Sequence, residues 1–527
     1  MPIRRPFASA VVAAVAVAAP LAQSRPAPPL ATLQTRAERS NFTETSRYDD
    51  VQQFLAAVDQ ASDLVHLTSF GYSFEGRSLP LAVVGRVPEA TAAAARASGK
   101  LRVYLQANIH AGEVEGKEAA LALVRDLAAG GHPEWLQSMV LLVNPVYNAD
   151  GTEKVTLTSR GFQHGPIGGQ GTRPNAQGLN INRDNIKLET PEARSMVRLL
   201  NEFDPHVMLD LHTTNGSRHA YQLTHETPNN PAVDGAVVRE TAAWMAAVAT
   251  AVKAKDGWDF RSYGNVSGQA PERVWTTVED LPRYTHNYWG LRNRLGILSE
   301  TYSYLPFAER VANNRRFLEE VLDYAHRHAA RLRDLTAAAD AAPLVGQRLS
   351  LRSAVARAPE KFEILMGAVD EEVNPYSGRT MHKRRNVSTP ERMWAETTFA
   401  STDAERVPAA YLVPAGEKAI LERLRAHGLT VEPMGAGPAP AIEAFRVTAT
   451  SVAPTAVEGH QERTVAGAWA AAEAPDLRGA FRVPMTQPLA RLAFYLLEPR
   501  ANDSLATWNV VDEAITAGRY PVLRTRP

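Results

Sequence analysis

Up to about residue 335, short apolar runs alternate with helix-like segments, and this alternation constrains the fold most. Helical patterns occupy 115–129, which two glycines close, and 191–203, which starts with Thr190 as N-cap and Pro191 at its first position. The apolar runs are typical of strands buried on both faces of a sheet. They lie at 101–107, 139–146, 206–211 and 295–299. The order predicts an α/β domain with a largely parallel sheet.

The chain has 527 residues, of which 45% are hydrophobic and 22% charged, and it is long enough for two or more cores. Helical periodicity at 307–335 gives way to an Ala-rich stretch. A small α/β unit and a β-rich remainder follow, without a motif that we can tie to chemistry. We predict a signal peptide at 1–24, a disordered lead-in at 25–45, a first domain at 46–335, a linker at 336–344 and a C-terminal domain of unknown role at 345–527.

The N-terminus has the composition of an export signal. Arg4 and Arg5 precede an apolar run at 7–19, and small residues follow at 22–24. The run is shorter than the ~20 residues that a membrane-spanning helix needs. The chain contains no cysteine, so disulfides and thiolate metal ligands are excluded. We expect export to the periplasm or the medium, by an ordinary secretory or a twin-arginine route, with no membrane attachment after signal removal.

The charges of the chain balance. Lysine plus arginine and aspartate plus glutamate both number 57. No overall field favours nucleic acid or an anionic membrane, so a local pocket must select the substrate. We expect the basic cluster at 382–385 to be a solvated loop. The sequence does not indicate the oligomeric state.

His110 and Glu113 form a His-x-x-Glu pair. A chain with 14 histidines is expected to contain about one such pair by chance, so the spacing alone is a weak indication. Its position is a stronger one, because the pair lies between a predicted strand and a predicted helix. From this fixed turn both side chains can converge on one metal ion.

A catalytic zinc ion requires a third protein ligand and keeps a further position for water. His212 is the strongest candidate because it follows the apolar run at 206–211. His206 and His219 are alternatives, and either can instead be a surface histidine. Asp210 lies on the same side of the strand as His212, where it can orient a ligand imidazole or cap a neighbouring helix.

Glu300 leaves a carboxylate at the end of the apolar run at 295–299. A lone carboxylate there is either an ion-pair partner or a general base. Beside a zinc site the second role is favoured, because a polarised water must lose a proton that later passes to the leaving amine. We predict that Glu300 is this base.

The segment 173–184 carries two arginines and an asparagine in a loop rich in Gly, Asn and Pro. A guanidinium binds a carboxylate through two parallel hydrogen bonds, so Arg183, aided by Asn182, can select a free peptide C-terminus. Arg173 on the same loop can stabilise the oxyanion that develops when water attacks the scissile carbonyl. The alternative is that these arginines are merely solvated.

As a set, these residues resemble those of the carboxypeptidase A-like zinc metallocarboxypeptidases, over about 48–335. The family's fold, a mixed sheet flanked by helices, agrees with the alternation, and 148–151 looks like the family's Asn-Pro-Asp-Gly turn. The resemblance implies zinc binding by His110, Glu113 and His212, general base catalysis by Glu300, oxyanion stabilisation by Arg173 and carboxylate binding by Asn182 and Arg183.

Two departures from the family pattern stand out. The family usually has an aspartate two residues before its Asn-Arg pair, where it orients a zinc-ligand imidazole, but this sequence has Asn180. An amide can accept the same hydrogen bond without carrying charge, which predicts a lower zinc affinity. The tyrosine that covers the substrate in the family matches either Tyr284 or Tyr288, and both can instead be core residues.

The sequence therefore predicts one zinc ion per chain and hydrolysis of the last peptide bond of a peptide with a free carboxylate. A murein-peptide amidase or carboxypeptidase on the same site is an alternative. A catalytically inactive binding protein is another. The preferred C-terminal residue is not indicated, because the specificity residue lies in the segment between His212 and Glu300.

Overall fold

The computed structural model describes residues 29–435, 440–473, 475–516 and 518–526. The predicted signal peptide at 1–24 lies outside the described residues. Within these ranges, no helix combines the length and the apolar character that a membrane crossing requires.

An eight-stranded sheet flanked by helices forms the centre of the first part of the molecule. The strands up to residue 301 are β1 (Val65–Tyr72), β2 (Ser78–Val84), β3 (Leu101–Ala107), β4 (Met139–Asn144), β5 (Val207–Thr213), β6 (Leu223–Glu226), β7 (Phe260–Ser262), β8 (Asn265–Ser267), β9 (Val274–Thr276) and β10 (Leu295–Thr301). The helices up to residue 341 are α1 (Arg36–Arg39), α2 (Tyr48–Ala61), α3 (Ala92–Ala97), α4 (Glu115–Ala128), α5 (Trp135–Ser138), α6 (Ala149–Glu153), α7 (Pro191–Phe203), α8 (Gly235–Asp256), α9 (Thr285–Leu291), α10 (Phe307–Arg327) and α11 (Ala329–Ala341).

The sheet is mixed, as the resemblance predicts. Its strand order is β1-β2-β4-β3-β5-β10-β6-β7. The central strands β3, β4, β5 and β10 pair in parallel, whereas β1, β2 and β6 contribute antiparallel pairs. Strands β3, β4 and β5 are buried along their whole length, which their Val- and Leu-rich sequences allow on both faces.

All four predicted strands form, but two are longer than predicted. β5 continues to Thr213 and β10 to Thr301, so His212 and Glu300 lie inside the strand ends rather than beyond them. The reason is their mutual pairing, which places Glu300 directly opposite His212 on the neighbouring strand. The ladder thereby brings together two residues that are far apart in sequence.

The predicted helices α4 and α7 also form. The Thr190 hydroxyl accepts a hydrogen bond from the Ala193 amide at 3.2 Å and caps α7, which begins at Pro191. The linker predicted at 336–344 requires a correction, because α11 continues to Ala341 and most of this stretch is helical. The division of the chain into domains stays a prediction.

The lead-in predicted as disordered also requires a correction, because it has helical structure from Leu30 onward. Thr35 and Glu38 form a capping box at the start of α1. Arg125 of α4 donates a hydrogen bond to Glu38 Oε2 at 2.7 Å, and Thr45 donates one to a carboxylate of the same helix. These contacts with α4 order a segment whose composition alone suggests disorder.

The C-terminal region is rich in β-structure and contains further sheets. Its strands are β11 (Arg348–Arg357), β12 (Phe362–Met366), β13 (Val369–Val373), β14 (Thr380–Arg384), β15 (Thr389–Arg406), β16 (Ala410–Val413), β17 (Glu432–Pro433), β18 (Ile442–Val452), β19 (Arg463–Ala472), β20 (Phe481–Pro484) and β21 (Arg519–Thr525). Its helices are α12 (Lys418–Ala426), α13 (Ala490–Leu497) and α14 (Asp512–Thr516).

A strand pairing and a common core join the two parts of the molecule. β9, from the first part, pairs in parallel with β15, and Trp394 lies opposite Val274. Buried apolar side chains from both parts form one cluster that includes Leu209, Tyr411 and Leu496. The C-terminal region therefore packs tightly against the first part.

Candidate metal centre and substrate pocket

Two histidines and one glutamate converge near the carboxyl ends of β3 and β5. His110 and Glu113 lie in the turn between β3 and α4, whereas His212 lies in β5. His110 Nδ1 is 3.0 Å from Glu113 Oε1, and His212 Nδ1 is 2.9 Å from Glu113 Oε2. One potential ligand atom from each residue lies within 4.8 Å of the other two. The predicted ligands are thus brought together and buried.

The turn that carries the first two ligands is held by Asn108. This residue has φ of 63°, a left-handed conformation that asparagine tolerates better than most residues. Its Nδ2 donates to the Glu113 carbonyl oxygen at 3.2 Å, and its Oδ1 accepts from the Thr152 hydroxyl at 2.6 Å. The chain therefore leaves β3 with the ligand side chains aimed at one point.

An oxygen atom on the far side of each imidazole contacts its Nε2 atom. Asn180 Oδ1 lies 3.1 Å from His110 Nε2, and Asp210 Oδ2 lies 3.0 Å from His212 Nε2. Burial lowers the pKa of His110, whose partner is neutral, to about 3. Burial also disfavours the charged form of His212, but Asp210 outweighs it and raises the pKa well above its usual range. The two ligands therefore differ in electrostatic environment.

The alternative histidines lie away from this group. His206 Nδ1 accepts a hydrogen bond from the Arg102 amide at 3.0 Å, at the start of β5. His219 is buried, with its ring centroid 4.5 Å from that of Tyr302. Neither is among the three residues whose ligand atoms converge.

Arg160 also contacts the ligand group, although the sequence did not point to it. Its Nη1 donates to Glu113 Oε1 at 2.9 Å, and its Nη2 donates to the Thr213 carbonyl oxygen at 3.1 Å. Burial raises the pKa of Glu113, but His110 and Arg160 outweigh burial and hold this pKa well below its usual range. Arg160 lies in an irregular segment without a recognisable motif, so only the fold reveals this contact.

Glu300 faces the ligand group from β10. It lies opposite His212 on β5 and opposite Thr224 on β6. Its Oε2 is buried without a hydrogen-bond partner among the described residues. Burial raises the pKa of Glu300 to about 8. A carboxyl group whose pKa is raised toward neutrality is suited to exchange protons at physiological pH.

The seven residues that the sequence singles out for binding and catalysis line one pocket that opens to solvent. They are His110, Glu113, Arg173, Asn182, Arg183, His212 and Glu300. The pocket thus combines a ligand group, a carboxyl group and two guanidinium groups.

The guanidinium of Arg183 stacks on an aromatic ring in this pocket. It lies 4.1 Å from the ring centroid of Tyr284, and its Nη1 donates to the Asn182 carbonyl oxygen at 2.7 Å. Asn182 Oδ1 is buried without a partner among the described residues. Tyr288, the other candidate for the covering tyrosine, is fully buried, and its hydroxyl lies 2.8 Å from His427 Nδ1. Of the two candidates, Tyr284 is therefore the one at the pocket, which Tyr263 also lines.

The loop that carries Arg173 is fixed to the ligand turn. Asn148 caps α6 by accepting from the Gly151 amide at 2.9 Å, and its Nδ2 donates to the Arg173 carbonyl oxygen at 3.1 Å. A Cβ atom at Gly171 would lie 2.7 Å from the Ala111 carbonyl oxygen, so the close approach requires glycine. As a result, Arg173 Nη1 lies 3.2 Å from His110 Nδ1.

The match with known proteins agrees with this geometry. A family model described as "Zinc carboxypeptidase" matches residues 51–289. This part of the chain belongs to the zinc carboxypeptidase family. "Carboxypeptidase 2" of Trichophyton tonsurans is 25% identical over 458 residues, which cover 81% of this chain and 77% of that protein. "Carboxypeptidase 2" of Trichophyton rubrum is 23% identical over 512 residues, which cover 91% and 87%.

Solved carboxypeptidase structures also resemble part of this chain. Carboxypeptidase A from Helicoverpa armigera has a TM-score of 0.42 at 15% identity and covers 55% of this chain and 75% of its own. A metallo-carboxypeptidase from Burkholderia cenocepacia has a TM-score of 0.40 at 19% identity and covers 53% and 69%.

The residues of this carboxypeptidase fit a zinc ion. Two imidazole nitrogens and one carboxylate are a donor set that catalytic zinc uses, with one position left for water. The outer contacts to Asn180 and Asp210 leave both Nδ1 atoms free to face the carboxylate. The zinc dependence of the family and the donor set of this chain therefore agree.

The C-terminal region reaches the metal side of the carboxypeptidase site through the turn between β18 and β19. Glu458 Oε2 accepts a hydrogen bond from the Asn180 amide at 2.7 Å. Nearby, the buried Arg283 donates from Nε to Asp503 Oδ1 at 2.8 Å. Residues far along the chain therefore hold the loop that orients His110.

Proposed function

We propose that this zinc metallocarboxypeptidase removes the last residue from peptides that end in a free carboxylate. The observation that supports this proposal is that Arg183 shares one pocket with the ligand group and Glu300. A guanidinium holds a carboxylate through two parallel hydrogen bonds, which a C-terminal amide cannot reproduce. A peptide held in this way would present its last peptide bond to the ligand group.

The pocket residues that the sequence singles out, together with Tyr284, then each have an assigned role. Zinc, when bound, supplies a Lewis acid that polarises the scissile carbonyl and lowers the pKa of a water molecule. Glu300 accepts a proton from the attacking water and passes it to the leaving amine. We assign Arg173 to the negative charge on the carbonyl oxygen, because its guanidinium lies beside His110. Asn182 and Arg183 hold the terminal carboxylate, and the Tyr284 ring stacks against the Arg183 guanidinium.

Two peptides that differ only in a free or amidated C-terminus test this proposal with the zinc-loaded protein. We expect kcat/KM to be at least about 10²-fold lower for the amide, because Arg183 is then left without its partner. Equal cleavage of both peptides would contradict the carboxylate role of Arg183. Turnover of murein stem peptides but not of ordinary peptides would select the amidase alternative. Absence of turnover on either class would favour a binding protein.

We also propose that the protein is exported to the periplasm or the medium. The support for this proposal is the basic and then apolar composition of residues 4–19, followed by small residues. N-terminal sequencing of the protein from the periplasm and the medium should find chains that begin near residue 25. Full-length chains found only in the cytoplasm would contradict export.

A further inference from the structure

A second buried carboxyl group lines the pocket, at the end of β6. Glu226 is 6% exposed and lies opposite Leu298 of β10, while Thr224 lies opposite Glu300. Directly opposite residues of an antiparallel pair point to the same face of a sheet, and so do residues two apart on a strand. Glu226 and Glu300 therefore face the same pocket, with Glu226 about 7 Å farther along the strand direction.

Glu226 has no positive partner among the described residues. The Thr277 hydroxyl donates a hydrogen bond to Oε1, and neither Arg173 nor Arg183 is within ion-pair distance. Burial raises the pKa of Glu226 to about 8. By contrast, Glu113 is contacted by a guanidinium and two imidazoles. A buried carboxylate without a countercharge is costly, so Glu226 stays largely protonated at neutral pH unless a cationic ligand supplies the countercharge.

Two apolar residues of the lining suit the stem of a long side chain. Val278 and Leu298 are apolar, and both line the pocket together with Glu226. Burial lowers the pKa of His286, which also lines the pocket, to about 3, so this imidazole adds no positive charge at neutral pH. Apolar walls that end in a carboxyl group match a side chain with an aliphatic stem and a cationic tip.

We propose that Glu226 makes this enzyme select peptides whose C-terminal residue is lysine or arginine. The inference rests on the proposed function, because the carboxylate must bind at Arg183 for the last side chain to enter this part of the pocket. Glu226 lies about 7 Å along the strand direction from the position of Glu300. This distance is similar to the length of a four-carbon stem with its charged end, so the cationic tip would reach Glu226. The ion pair would be shielded from water and therefore selective.

Two acyl dipeptides that differ only in the tip of the last side chain provide the test. One ends in lysine and the other in norleucine, which has a similar stem without the charge. With the zinc-loaded wild type we expect kcat/KM to be at least about 10²-fold higher for lysine. Glu226→Gln should reduce this ratio to within about fivefold of unity and leave the norleucine peptide at or above its wild-type rate, because the charge is removed and the shape is kept.

Glu371→Gln provides the matched control, since Glu371 is an exposed glutamate on β13 outside the pocket. It should keep the wild-type ratio. A wild-type ratio near one, or an unchanged ratio in Glu226→Gln, would overturn the specificity inference while leaving the carboxypeptidase activity in place. The wild-type ratio decides the question even if Glu226→Gln does not fold.

Calorimetric binding of free L-lysine and L-norleucine to the zinc-loaded wild type separates this inference from the proposed function. These amino acids stand in for the released product and need no turnover. Tighter binding of lysine, lost in Glu226→Gln, supports the inference even if no peptide is hydrolysed. Equal binding of the two amino acids overturns it. Failure of hydrolysis with both peptides counts only against the proposed function.

Discussion

The eight-stranded sheet and the C-terminal region both contact the metal side of the site, but they do so in different ways. The sheet supplies groups that face the pocket, such as Glu300, which has an unpaired buried oxygen. The C-terminal region supplies groups that face the backbone and side chains of the first part, such as Glu458 and Asp503. The sheet therefore carries the side chains that line the pocket, whereas the C-terminal region contacts the loops around it.

The sharpest test of the sheet side is Glu300→Gln. We expect kcat to fall by a factor on the order of 10² to 10⁴, because the amide cannot accept the proton of the attacking water. Zinc content and the free energy of unfolding should stay close to those of the wild type. Near-normal turnover would refute the role of Glu300 as the general base. The sheet would then not supply this reacting group.

The matching test on the C-terminal side is Asp503→Ala. It removes the buried partner of the Arg283 guanidinium and leaves only the partly exposed Glu462, which should lower the free energy of unfolding by about 3 kcal/mol. Denaturant unfolding measures this change. Asp476→Ala removes the partner of Arg478 in an exposed pair and should leave unfolding unchanged. Similar behaviour of the two variants would contradict a structural role for the Arg283 pair.

The pH dependence of stability should also reveal the C-terminal core. Burial raises the pKa of Glu498 to about 7, and Tyr411 and Trp469 donate hydrogen bonds to its carboxyl group. Because the folded pKa lies above the unfolded value of about 4.5, its contribution to stability is lost as pH rises from 4.5 to 7. The loss should reach up to about 3 kcal/mol. The free energy of unfolding of Glu498→Gln should lack this pH-dependent contribution. If the variant and the wild type lose stability equally between pH 4.5 and 7, Glu498 is not its source.

Asn180→Asp tests the point where the two regions meet. A carboxylate beside His110 Nε2 should make the imidazole a more basic ligand and raise zinc affinity by about tenfold. Competition with a chelator of known affinity measures this change. The aspartate can still accept the hydrogen bond that the Asn182 amide donates to Asn180 Oδ1. Weaker zinc binding would show that the outer partner must be neutral here.

The smallest effect is expected from Glu458→Ala. The variant removes the acceptor of the Asn180 amide, and a lost hydrogen bond of about 1 kcal/mol should lower kcat/KM by about fivefold. Glu458→Gln retains an oxygen acceptor and should restore most of this loss. If both variants equal the wild type, the β18–β19 turn does not position the site.

The sequence predicted the central strands and the seven pocket residues because each lies beside a local pattern. His110, His212 and Glu300 follow or end apolar runs, and Arg173 and Arg183 share one loop. The chemistry of these residue types, together with the family likeness, supplied the predicted roles. The apolar pattern could not predict the exact ends of the strands, because the pairing of β5 with β10 extends both.

Other contacts lack any local signal. Arg160 lies in an irregular segment, and Glu226 ends a strand of only four residues. Glu458 meets Asn180 across 278 positions of the chain. Periodicity and short motifs report on neighbours in sequence, so they cannot reveal which distant side chains a fold will bring to a loop.

The pairing of β9 with β15 has a consequence for how such an enzyme can diversify. Thr277, which donates a hydrogen bond to Glu226, is itself held by the carbonyl oxygen of Glu396 in β15. One wall of the substrate cavity is thus braced by a region that carries no hydrolytic group. A substitution in β15 can therefore shift this wall without replacing any of the three residues whose ligand atoms converge.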